Sequence, residues 1–342
     1  GRAPTEPRDV VGLTAIKHIY IEDGVRNSPI STKIVKSMPW AHVIPIRDYR
    51  EVFNRYGQSF AAQKRSQKLV VGRKEGRFLY EGTERIAGGQ SGLIHYVDPV
   101  RNCLFDCDYC FLQGMHTSAN VLIHPNLDDY FATAKKRLET GPTYVSLSYL
   151  TDILAFEELL GFCGKWMELA SAHTNLTLEI RTKSEAFPAV ARAPVSSNVI
   201  FAWSLTPAPF AGNHEVGTAG LHTRIFHAYQ AARQGRRVRL CFDPVIIDDG
   251  WEEAYSSTVE AVFKRLDAQM IEEISVGVFR VHKEHARRMR KVRPDASILY
   301  GDYRLDGQVV APPAPVRGHV EAYLRGLLAD HMPESRVRFI HG

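Results

Sequence analysis

Three of the five cysteines lie within eight residues, at Cys103, Cys107 and Cys110. A CxxxCxxC run of this kind can bring three thiolates to one soft metal centre, and it supplies no fourth thiolate. Iron–sulfur clusters of the 4Fe–4S type usually take four cysteines, one per iron, so a cluster held by three leaves one iron open to a substrate or cofactor. Zinc is the alternative, because Cys₃His sites exist and His116 lies only a few residues away. Core packing does not demand such clustering, and we interpret the run as the ligand set of an open-site 4Fe–4S cluster.

The cysteine run follows the first of six predicted strands. Strands are predicted over 93–99, 143–150, 176–183, 198–205, 237–247 and 274–281, with helices over 127–139, 154–172 and 221–235 and from Trp251 onward. Alternating strands and helices predict parallel βα units, closed or partly closed into a barrel. The chemistry of such barrels lies on loops at the carboxyl ends of the strands, which is where the cysteine run falls. The fold class is therefore α/β, a partial (β/α)6 TIM-type barrel.

Three segments are expected along the chain. Residues 1–90 form an N-terminal α/β extension with short strands at 18–23 and 42–46, and residues 91–295 form the barrel. Residues 296–342 form a C-terminal hairpin and helix that complete the substrate site. The tight-turn sequence Asp306-Gly307 supports the hairpin.

Composition indicates a globular protein in a reducing compartment. Hydrophobic residues make up 44% and charged residues 24% of the 342 residues, and apolar runs stay short of the roughly 18 residues that a bilayer span needs. An odd number of cysteines, three of them bunched, argues against a disulfide framework. We expect a cytoplasmic protein with no secretory signal and no membrane attachment, and a monomer as the default.

The positive charge is concentrated in two basic stretches, although the net charge is only +5. The first contains Lys64, Arg65, Lys68, Arg73, Lys74 and Arg77, and the second Lys283, Arg287, Arg288, Arg290, Lys291 and Arg293. Such stretches suit a polyphosphate backbone, because each neutralised phosphate releases counterions. The alternative is an ordinary solvated face. We predict nucleic-acid contacts for Lys64, Arg65, Lys68, Arg73 and Lys74.

Several short motifs resemble the radical S-adenosylmethionine superfamily and, within it, the spore photoproduct lyase family. They are "IYIED" near the start, "KLVVGRK" (68–74), "CDYCFLQG" (107–114), "LTDILAFEEL" (150–159), "RTK" (181–183), "FAWSL" (201–205) and "DDGWEEAY" (248–255), in the family's order. The resemblance implies a barrel of the radical S-adenosylmethionine kind. It also implies a 4Fe–4S cluster with S-adenosylmethionine, which together supply a 5′-deoxyadenosyl radical. The family uses that radical to reverse a methylene-bridged thymine dimer in DNA.

The resemblance also implies residue roles. Cys103, Cys107 and Cys110 would hold the cluster. Lys183 would donate to the carboxylate of S-adenosylmethionine and Ser204 would contribute a hydroxyl hydrogen bond. The other family positions are Thr151 and Asp152, which could reach the ribose or amino group, and Tyr109, which lies close to the cofactor. Without the resemblance, Lys183 could be a lysine extending from a strand end, and Tyr109 could simply pack over the cluster.

Two departures from the family bear on the mechanism. Tyr149 stands where the family has the cysteine that gives a hydrogen atom to the thymine radical. The family's relay tyrosines match Tyr109 and Phe111 here, so one relay hydroxyl is missing. Tyr149 could quench the product radical and pass it to Tyr109, or Cys241 on the fifth strand could be a displaced thiol donor if it faces the barrel interior. Otherwise the enzyme performs a different radical reaction. Cys163 lies on an apolar helix face and is expected to be structural.

The C-terminal hairpin differs as well. The family holds an extruded lesion there with basic and aromatic side chains, and this chain offers Tyr300, Tyr303 and Arg304. Asp302 replaces a basic residue, and an acid beside a phosphate backbone is unfavourable. We nevertheless predict nucleic-acid contacts for Tyr303 and Arg304.

Three functions follow, in order of preference. A base inside a duplex cannot reach a radical at a barrel mouth, so the substrate must be flipped out or single-stranded. The first function is a carbon–carbon lyase that reverses a pyrimidine photolesion in DNA, served by an external one-electron reductant such as flavodoxin or ferredoxin. The second keeps the radical chemistry but acts on another nucleotide, a modified base or a peptide. The third is a non-catalytic iron–sulfur protein that binds DNA or senses redox state.

Overall fold

The computed structural model describes residues 12–83 and 93–340. The expected boundary between the N-terminal extension and the barrel, at 90/91, lies outside these ranges. Within them, no helix has the length and apolarity that a membrane crossing would need.

Six parallel strands form the central sheet in sequence order, as predicted. They are β1 (Ile94–Tyr96), β2 (Thr143–Ser146), β3 (Leu176–Thr182), β4 (Val199–Ser204), β5 (Arg237–Val245) and β6 (Glu273–Val278). An unpredicted strand, Val337–Phe339, pairs in parallel with β6, and the short strand Tyr80–Glu81 pairs antiparallel with β1. Over the described ranges these two edge strands do not pair with each other, so the barrel is partial and open.

Helices cover the outside of the sheet. The main ones are Leu127–Leu138, Phe162–Ala172, Ala208–His214, Leu221–Arg233 and Trp251–Phe263. The helix predicted over 154–172 is divided into a 3₁₀ turn, Ile153–Phe156, a single α turn, Glu157–Leu160, and the helix Phe162–Ala172. Gly161, with φ of 61°, separates the last two segments because its left-handed backbone cannot continue a right-handed helix.

The N-terminal sheet has five strands, two of which come from the cysteine region. They are His18–Glu22, His42–Ile46, Leu69–Val71, Val121–Ile123 and Val100–Arg101. The first four are parallel, and Val100–Arg101 pairs antiparallel with Val121–Ile123. Three helices, Pro29–Ser37, Arg50–Phe53 and Phe60–Arg65, connect the first three strands. The segment that contains the cysteine run therefore leaves this sheet at Val100–Arg101 and returns to it at Val121–Ile123.

The C-terminal hairpin is present. Arg304–Asp306 and Val309–Ala311 pair antiparallel around Gly307, whose φ is 59°. Val281–His282 adds a third strand and leads into the helix Lys283–Val292. The last long helix, Ala314–Ala329, buries Val320, Leu324 and Leu328. The hairpin thus lies next to the carboxyl end of β6.

The register of the six strands arranges the barrel interior in layers. Ile94, Tyr144 and Ile200 form an apolar cluster at the amino ends of the strands. Residues two positions further along each strand also face inward, because side chains alternate between the two faces of a strand. On β3 the inward positions are Glu179, which is in register with Ile200 of the apolar cluster, and then Arg181, two residues nearer the carboxyl end. Polarity therefore rises towards the carboxyl ends, where a site is expected.

Candidate cofactor and substrate site

A cavity of about 470 Å³ opens at the carboxyl ends of the barrel strands. It is lined by the three clustered cysteines together with Tyr109, Phe111, Ser148, Tyr149, Thr151, Asp152, Arg181, Lys183, Ser204, Asp243, Arg280, His282 and His285, among others. The sequence placed the cysteines, Lys183, Ser204, Thr151, Asp152, Tyr109 and Tyr149 in one site, and the structure brings all of them to this one cavity.

Hydrogen bonds from outside the barrel hold the cysteine loop in shape. The ammonium of Lys64 donates to the carbonyls of Cys103 and Phe105, both at 2.6 Å. Gln67 donates to the carbonyl of Cys103 at 3.0 Å, and Gln113 donates to the carbonyl of Cys107 at 2.8 Å. Because these bonds use backbone oxygens, the three sulfur atoms stay available.

The far side of the loop is tied to the chain that follows β4. The strand Asp106–Cys107 pairs antiparallel with Glu215–Val216. Arg293 forms an ion pair with Asp106 and also donates to Gln113 at 2.9 Å. Arg293 belongs to the second basic stretch, and these contacts show that it helps to hold the cysteine loop in place.

The three thiols suit a cluster in which each cysteine binds a different iron. Over the described ranges, no three His, Cys, Asp or Glu side chains converge closely enough to hold one metal ion. A 4Fe–4S cluster does not need that convergence, since its thiolates bind separate irons. His116, the candidate fourth zinc ligand, is not among the residues that line the cavity. Burial raises the pKa of Cys103 to about 11, and nearby Lys64 opposes that rise.

A buried network supports the cofactor side of the cavity. The Glu215 carboxylate has no exposed side-chain surface and pairs with the equally buried Arg224 at 2.5 Å. Its other oxygen accepts hydrogen bonds from Tyr109 and, at 2.8 Å, from Thr206. Burial works against ionisation, but the charges of Lys183 and Arg224 outweigh it and lower the pKa of Glu215. The network holds Tyr109 in a defined position.

Lys183 extends from the end of β3 into the cavity. Its ammonium lies 3.9 Å from Glu215 and 5.5 Å from the ring centroid of Tyr109. The backbone N–H of Lys183 donates to Asp152 at 2.6 Å, and Asp152 also accepts from Thr182 at 2.9 Å. Asp152 is therefore occupied in joining two strand ends, whereas the ion pair of the Lys183 ammonium among the described residues is the 3.9 Å contact with Glu215. A ligand carboxylate could approach this ammonium.

Two buried hydroxyls on the cavity wall have no hydrogen-bond partner among residues 12–83 and 93–340. They are the side-chain oxygens of Ser148 and Thr151. An unpartnered buried hydroxyl costs free energy, so its presence on a cavity wall is typical of a site built for a polar ligand. Ser204 differs, because its hydroxyl already accepts from Arg181 at 3.1 Å.

An Arg–Asp–Arg cluster on the cavity wall was not foreseen from the sequence. Asp243 pairs with Arg280 at 2.8 Å and with Arg181 at 3.3 Å. Burial opposes ionisation of Asp243, but Arg280 and Arg181 lower its pKa. The cluster leaves one excess positive charge facing the cavity, at the end that the hairpin borders. Only the position of Arg181 and Asp243 at strand ends could have indicated them.

Tyr149 lies among aromatic rings at the cavity wall. Its ring is 5.4 Å from Phe111 and 4.6 Å from Tyr96, between ring centroids. The tyrosine predicted to receive its radical, Tyr109, donates its hydroxyl to Glu215 instead. The tyrosine ring that the structure places against Tyr149 is thus Tyr96, a residue that the sequence analysis did not single out.

The two remaining cysteines are enclosed. Cys241 is 2% exposed and faces the barrel interior in register with Ser204, but it is not among the cavity-lining residues. Burial raises its pKa, and the neighbouring charges of Arg181 and Arg239 act against that rise. Cys163 is completely buried in the core, as expected.

Two of the predicted nucleic-acid residues are inside the protein. Lys64 is 6% exposed beneath the cysteine loop, and Lys74 is 4% exposed and paired with Asp98 at 3.0 Å. Neither ammonium can contact a phosphate backbone, and their prediction as nucleic-acid contacts was wrong. The physical reason is that each lysine is held in the interior by its own acceptors, the loop carbonyls for Lys64 and the carboxylate for Lys74.

The other predicted nucleic-acid residues lie nearer the surface. Arg65 and Arg73 are exposed and Lys68 is half-buried. On the hairpin, Arg304 is exposed and pairs with Asp302 at 2.5 Å. The hydroxyl of Tyr303 donates to the carbonyl of Ile298 at 2.7 Å, so this tyrosine is anchored in the protein.

Comparison with known proteins agrees with this geometry. The family model described as spore photoproduct lyase matches residues 90–298. The spore photoproduct lyase of Bacillus subtilis (strain 168) is 23% identical over 265 residues, covering 75% of this chain and 74% of that protein.

Solved structures are similar over almost the whole fold. A mutant spore photoproduct lyase with bound AdoMet and dinucleoside spore photoproduct superposes with a TM-score of 0.81 at 18% identity, covering 95% of this chain and 98% of that one. A second structure, described as spore photoproduct lyase complexed with dinucleoside spore photoproduct, gives 0.81 at 17% identity with the same coverage. Streptococcus suis SuiB bound to precursor peptide SuiA is more distant, with a TM-score of 0.50 at 10% identity over 72% of this chain and 48% of that one.

Proposed function

The chain belongs to the spore photoproduct lyase family, and from this premise we propose that it is a radical S-adenosylmethionine lyase that reverses a pyrimidine photolesion in DNA. The observation that carries the proposal is the single cavity at the barrel mouth. Three thiols, the Lys183 ammonium and the unpartnered hydroxyls of Ser148 and Thr151 all face it. No simple packing requirement explains that combination.

The residues present fit the two cofactors of the family. Cys103, Cys107 and Cys110 would hold a 4Fe–4S cluster and leave one iron open. Lys183 would bind the carboxylate of S-adenosylmethionine, and Thr151 would accept or donate a hydrogen bond to its polar groups. When bound, the cluster and S-adenosylmethionine supply a 5′-deoxyadenosyl radical for attack on the substrate.

The chain's own residues position and shield that chemistry. Glu215 fixes Tyr109 beside Lys183 and balances the lysine charge, which keeps both side chains in place before the cofactor binds. Asp152 joins the ends of β2 and β3 by accepting from Lys183 and Thr182. Buried, pre-positioned groups lose little freedom on binding and favour one orientation of the ligand.

The substrate side of the cavity suits an extruded nucleotide. Val309 of the hairpin and Val281 supply apolar surface, while Arg280 supplies positive charge. A damaged, poorly stacked site costs less to flip out than an intact base pair. The bond to be broken would be the carbon–carbon bridge between the two pyrimidines. Of the predicted basic contacts, Arg65, Lys68, Arg73 and Arg304 remain candidates for the phosphate backbone.

A different lesion or nucleotide is the second candidate function. The observation that favours it is the ion pair between Asp302 and Arg304, which reduces the positive charge that the hairpin offers to DNA. Tyr149 in the place of the family's cysteine points the same way. The sensor interpretation is less supported, because a redox sensor does not need the pocket around Lys183 and Glu215 that would bind S-adenosylmethionine.

The proposal includes an external one-electron reductant of the flavodoxin or ferredoxin type and a monomeric enzyme. The test is an anaerobic assay of the reconstituted protein with dithionite, S-adenosylmethionine and an oligonucleotide carrying spore photoproduct. Both 5′-deoxyadenosine and restored thymine are measured. Restored thymine supports the proposal, and 5′-deoxyadenosine without thymine points to a different substrate. If cluster-loaded protein forms neither 5′-deoxyadenosine nor thymine, the proposal is overturned.

A further inference from the structure

Three tyrosine rings contact one another in a row that leads away from the cavity. We call this row the tyrosine stack, although the ring planes of Tyr149 and Tyr96 are tilted by 54° to each other. The Tyr149 and Tyr96 ring centroids are 4.6 Å apart, and those of Tyr96 and Tyr80 are 5.1 Å apart with an angle of only 14° between the planes. These separations are those of aromatic rings in contact. Tyr96 and Tyr80 are also direct cross-strand partners, since β1 pairs antiparallel with Tyr80–Glu81. The stack is therefore built into the sheet register.

The two ends of the stack have different surroundings. Tyr149 lines the substrate cavity. At the other end, the Tyr80 hydroxyl accepts from the Lys74 ammonium at 2.8 Å and lies 3.4 Å from the carboxylate of Asp98. Tyr80 is half-buried on the sheet's edge strand, beside the exposed Arg77. The stack thus connects the reaction site to a phenol that has a proton acceptor and lies close to the protein surface.

The pKa of Tyr96, the middle tyrosine, is affected by its burial and by the two tyrosines beside it. Burial raises the pKa of Tyr96, and the adjacent phenols of Tyr149 and Tyr80 raise it further. A phenol with a raised pKa stays protonated at neutral pH and retains the hydrogen atom that a relay has to move.

The alternative route is less suited to carrying a radical. Phe111 contacts Tyr149 but has no hydroxyl. Tyr109 has a hydroxyl, but it is committed to the buried Glu215 carboxylate. Contact between phenol rings therefore leads from Tyr149 to Tyr96 rather than into the cysteine loop.

We propose that Tyr149, Tyr96 and Tyr80 form a radical relay in which Tyr149 donates a hydrogen atom to the pyrimidine radical and the other two restore it. This inference rests on the function proposed above. Tyr149 is the catalytic residue, because it lines the cavity proposed for the substrate. Tyr96 and Tyr80 act through it.

Each step balances in atoms and electrons. After the bridge between the pyrimidines breaks, the pyrimidine carbon radical takes a hydrogen atom from the Tyr149 O–H, forming a C–H bond and a Tyr149 phenoxyl radical. Tyr96 then gives one electron and one proton to Tyr149, and Tyr80 gives the same to Tyr96. The Tyr80 phenoxyl is reduced by one electron from the external reductant and one proton from solvent.

The experiment compares variants that keep the aromatic packing and remove one hydroxyl. Tyr96→Phe and Tyr80→Phe are assayed in the reconstituted protein with limiting and with excess spore photoproduct oligonucleotide. Tyr96→Phe should repair about one lesion per active site and Tyr80→Phe about two, and each should then slow at least tenfold. The reason is that the remaining phenols, Tyr149 alone in the first variant and Tyr149 with Tyr96 in the second, can each give one hydrogen atom but are not restored. Tyr149→Phe should still form 5′-deoxyadenosine but lose most of the restored thymine. Tyr130→Phe is the matched control, since Tyr130 also donates to Asp98, at 3.2 Å, but stands outside the stack.

A radical trap gives a readout other than turnover. With 3-aminotyrosine at position 80, turnover should produce an aminotyrosyl radical detectable by electron paramagnetic resonance, and Tyr96→Phe should abolish that signal. Unchanged multiple turnover in Tyr96→Phe, or a trapped radical that persists without the Tyr96 hydroxyl, would overturn the relay while leaving lyase activity in place. Loss of all products in the unmodified protein would instead count against the proposed function.

Discussion

Replacing Glu215 by glutamine tests the buried network that supports the cofactor side of the cavity. Glu215 and Arg224 lie 2.5 Å apart, and neither side chain has exposed surface. Glutamine keeps an oxygen that can accept from Tyr109 and Thr206. It removes the negative charge that Arg224 faces. The change in stability therefore reports the loss of the ion pair and not the loss of the surrounding hydrogen bonds.

The expected loss of stability follows from that unpaired charge. Removing one partner of a buried pair costs about 3–5 kcal/mol, because the remaining charge is left without solvent or a counter-ion. The free energy of unfolding of a typical protein is about 5–15 kcal/mol, so the loss is a large fraction of the total. With an m-value of about 3 kcal/mol per molar urea, the unfolding midpoint should fall by about 1–1.7 M.

Urea unfolding of the reduced protein, followed by circular dichroism, measures this shift. Glu260→Gln is the matched control, since Glu260 is exposed on its helix, and it should change stability by no more than about 0.5 kcal/mol. The double variant Glu215→Gln with Arg224→Met removes both charges, keeps an acceptor for Tyr109 and Thr206, and should recover most of the loss. A Glu215→Gln midpoint equal to that of the control, or a double variant no more stable than the single one, would refute the reasoning.

Three further outcomes are expected. Cys107→Ala should lose the brown colour, the bound iron and S-adenosylmethionine cleavage, whereas Cys163→Ala, whose thiol is buried away from the cavity, should keep all three. Asp243→Asn should be less stable than the parent at neutral pH. Two arginines lower the pKa of Asp243 below its ordinary 3.8, so the ionised carboxylate stabilises the folded protein fully above pH 3.8. The difference in free energy of unfolding between the parent and Asp243→Asn should therefore shrink as the pH falls through the pKa of Asp243 in the folded protein. Gly114→Ala would place a methyl group 2.6 Å from the backbone of His285. This clash should push the helix Lys283–Val292 away from the cysteine loop, reduce the free energy of unfolding by about 1–3 kcal/mol and lower the melting temperature. Each argument would be contradicted by one result. These results are an unchanged melting temperature in Gly114→Ala, a stability difference between Asp243→Asn and the parent that does not change with pH, and bound iron retained in Cys107→Ala.

Local sequence patterns predicted most of the barrel, because helix and strand periodicity is a property of neighbouring residues. The segment predicted at 237–247 became β5, Arg237–Val245, and the one at 221–235 became the helix Leu221–Arg233. The strand Val337–Phe339 was missed because it is only three residues long and gains its structure by pairing with β6. The division at Gly161 was missed because it depends on one backbone conformation.

The sequence by itself determined which residues to look for at the site. The spacing of Cys103, Cys107 and Cys110 after a strand predicted a three-thiolate site, the family resemblance added Lys183 and Thr151, and all five line one cavity. Only the tertiary structure decided how charge is distributed around that site. Lys64 looked like a phosphate contact and lies under the cysteine loop, while Glu215, which the sequence did not mark, became the acceptor that holds Tyr109. The role of a charged or phenolic side chain depends on burial and on partners far away in the chain, and the tyrosine stack from Tyr149 to Tyr80 exists only because the sheet register brings those rings together.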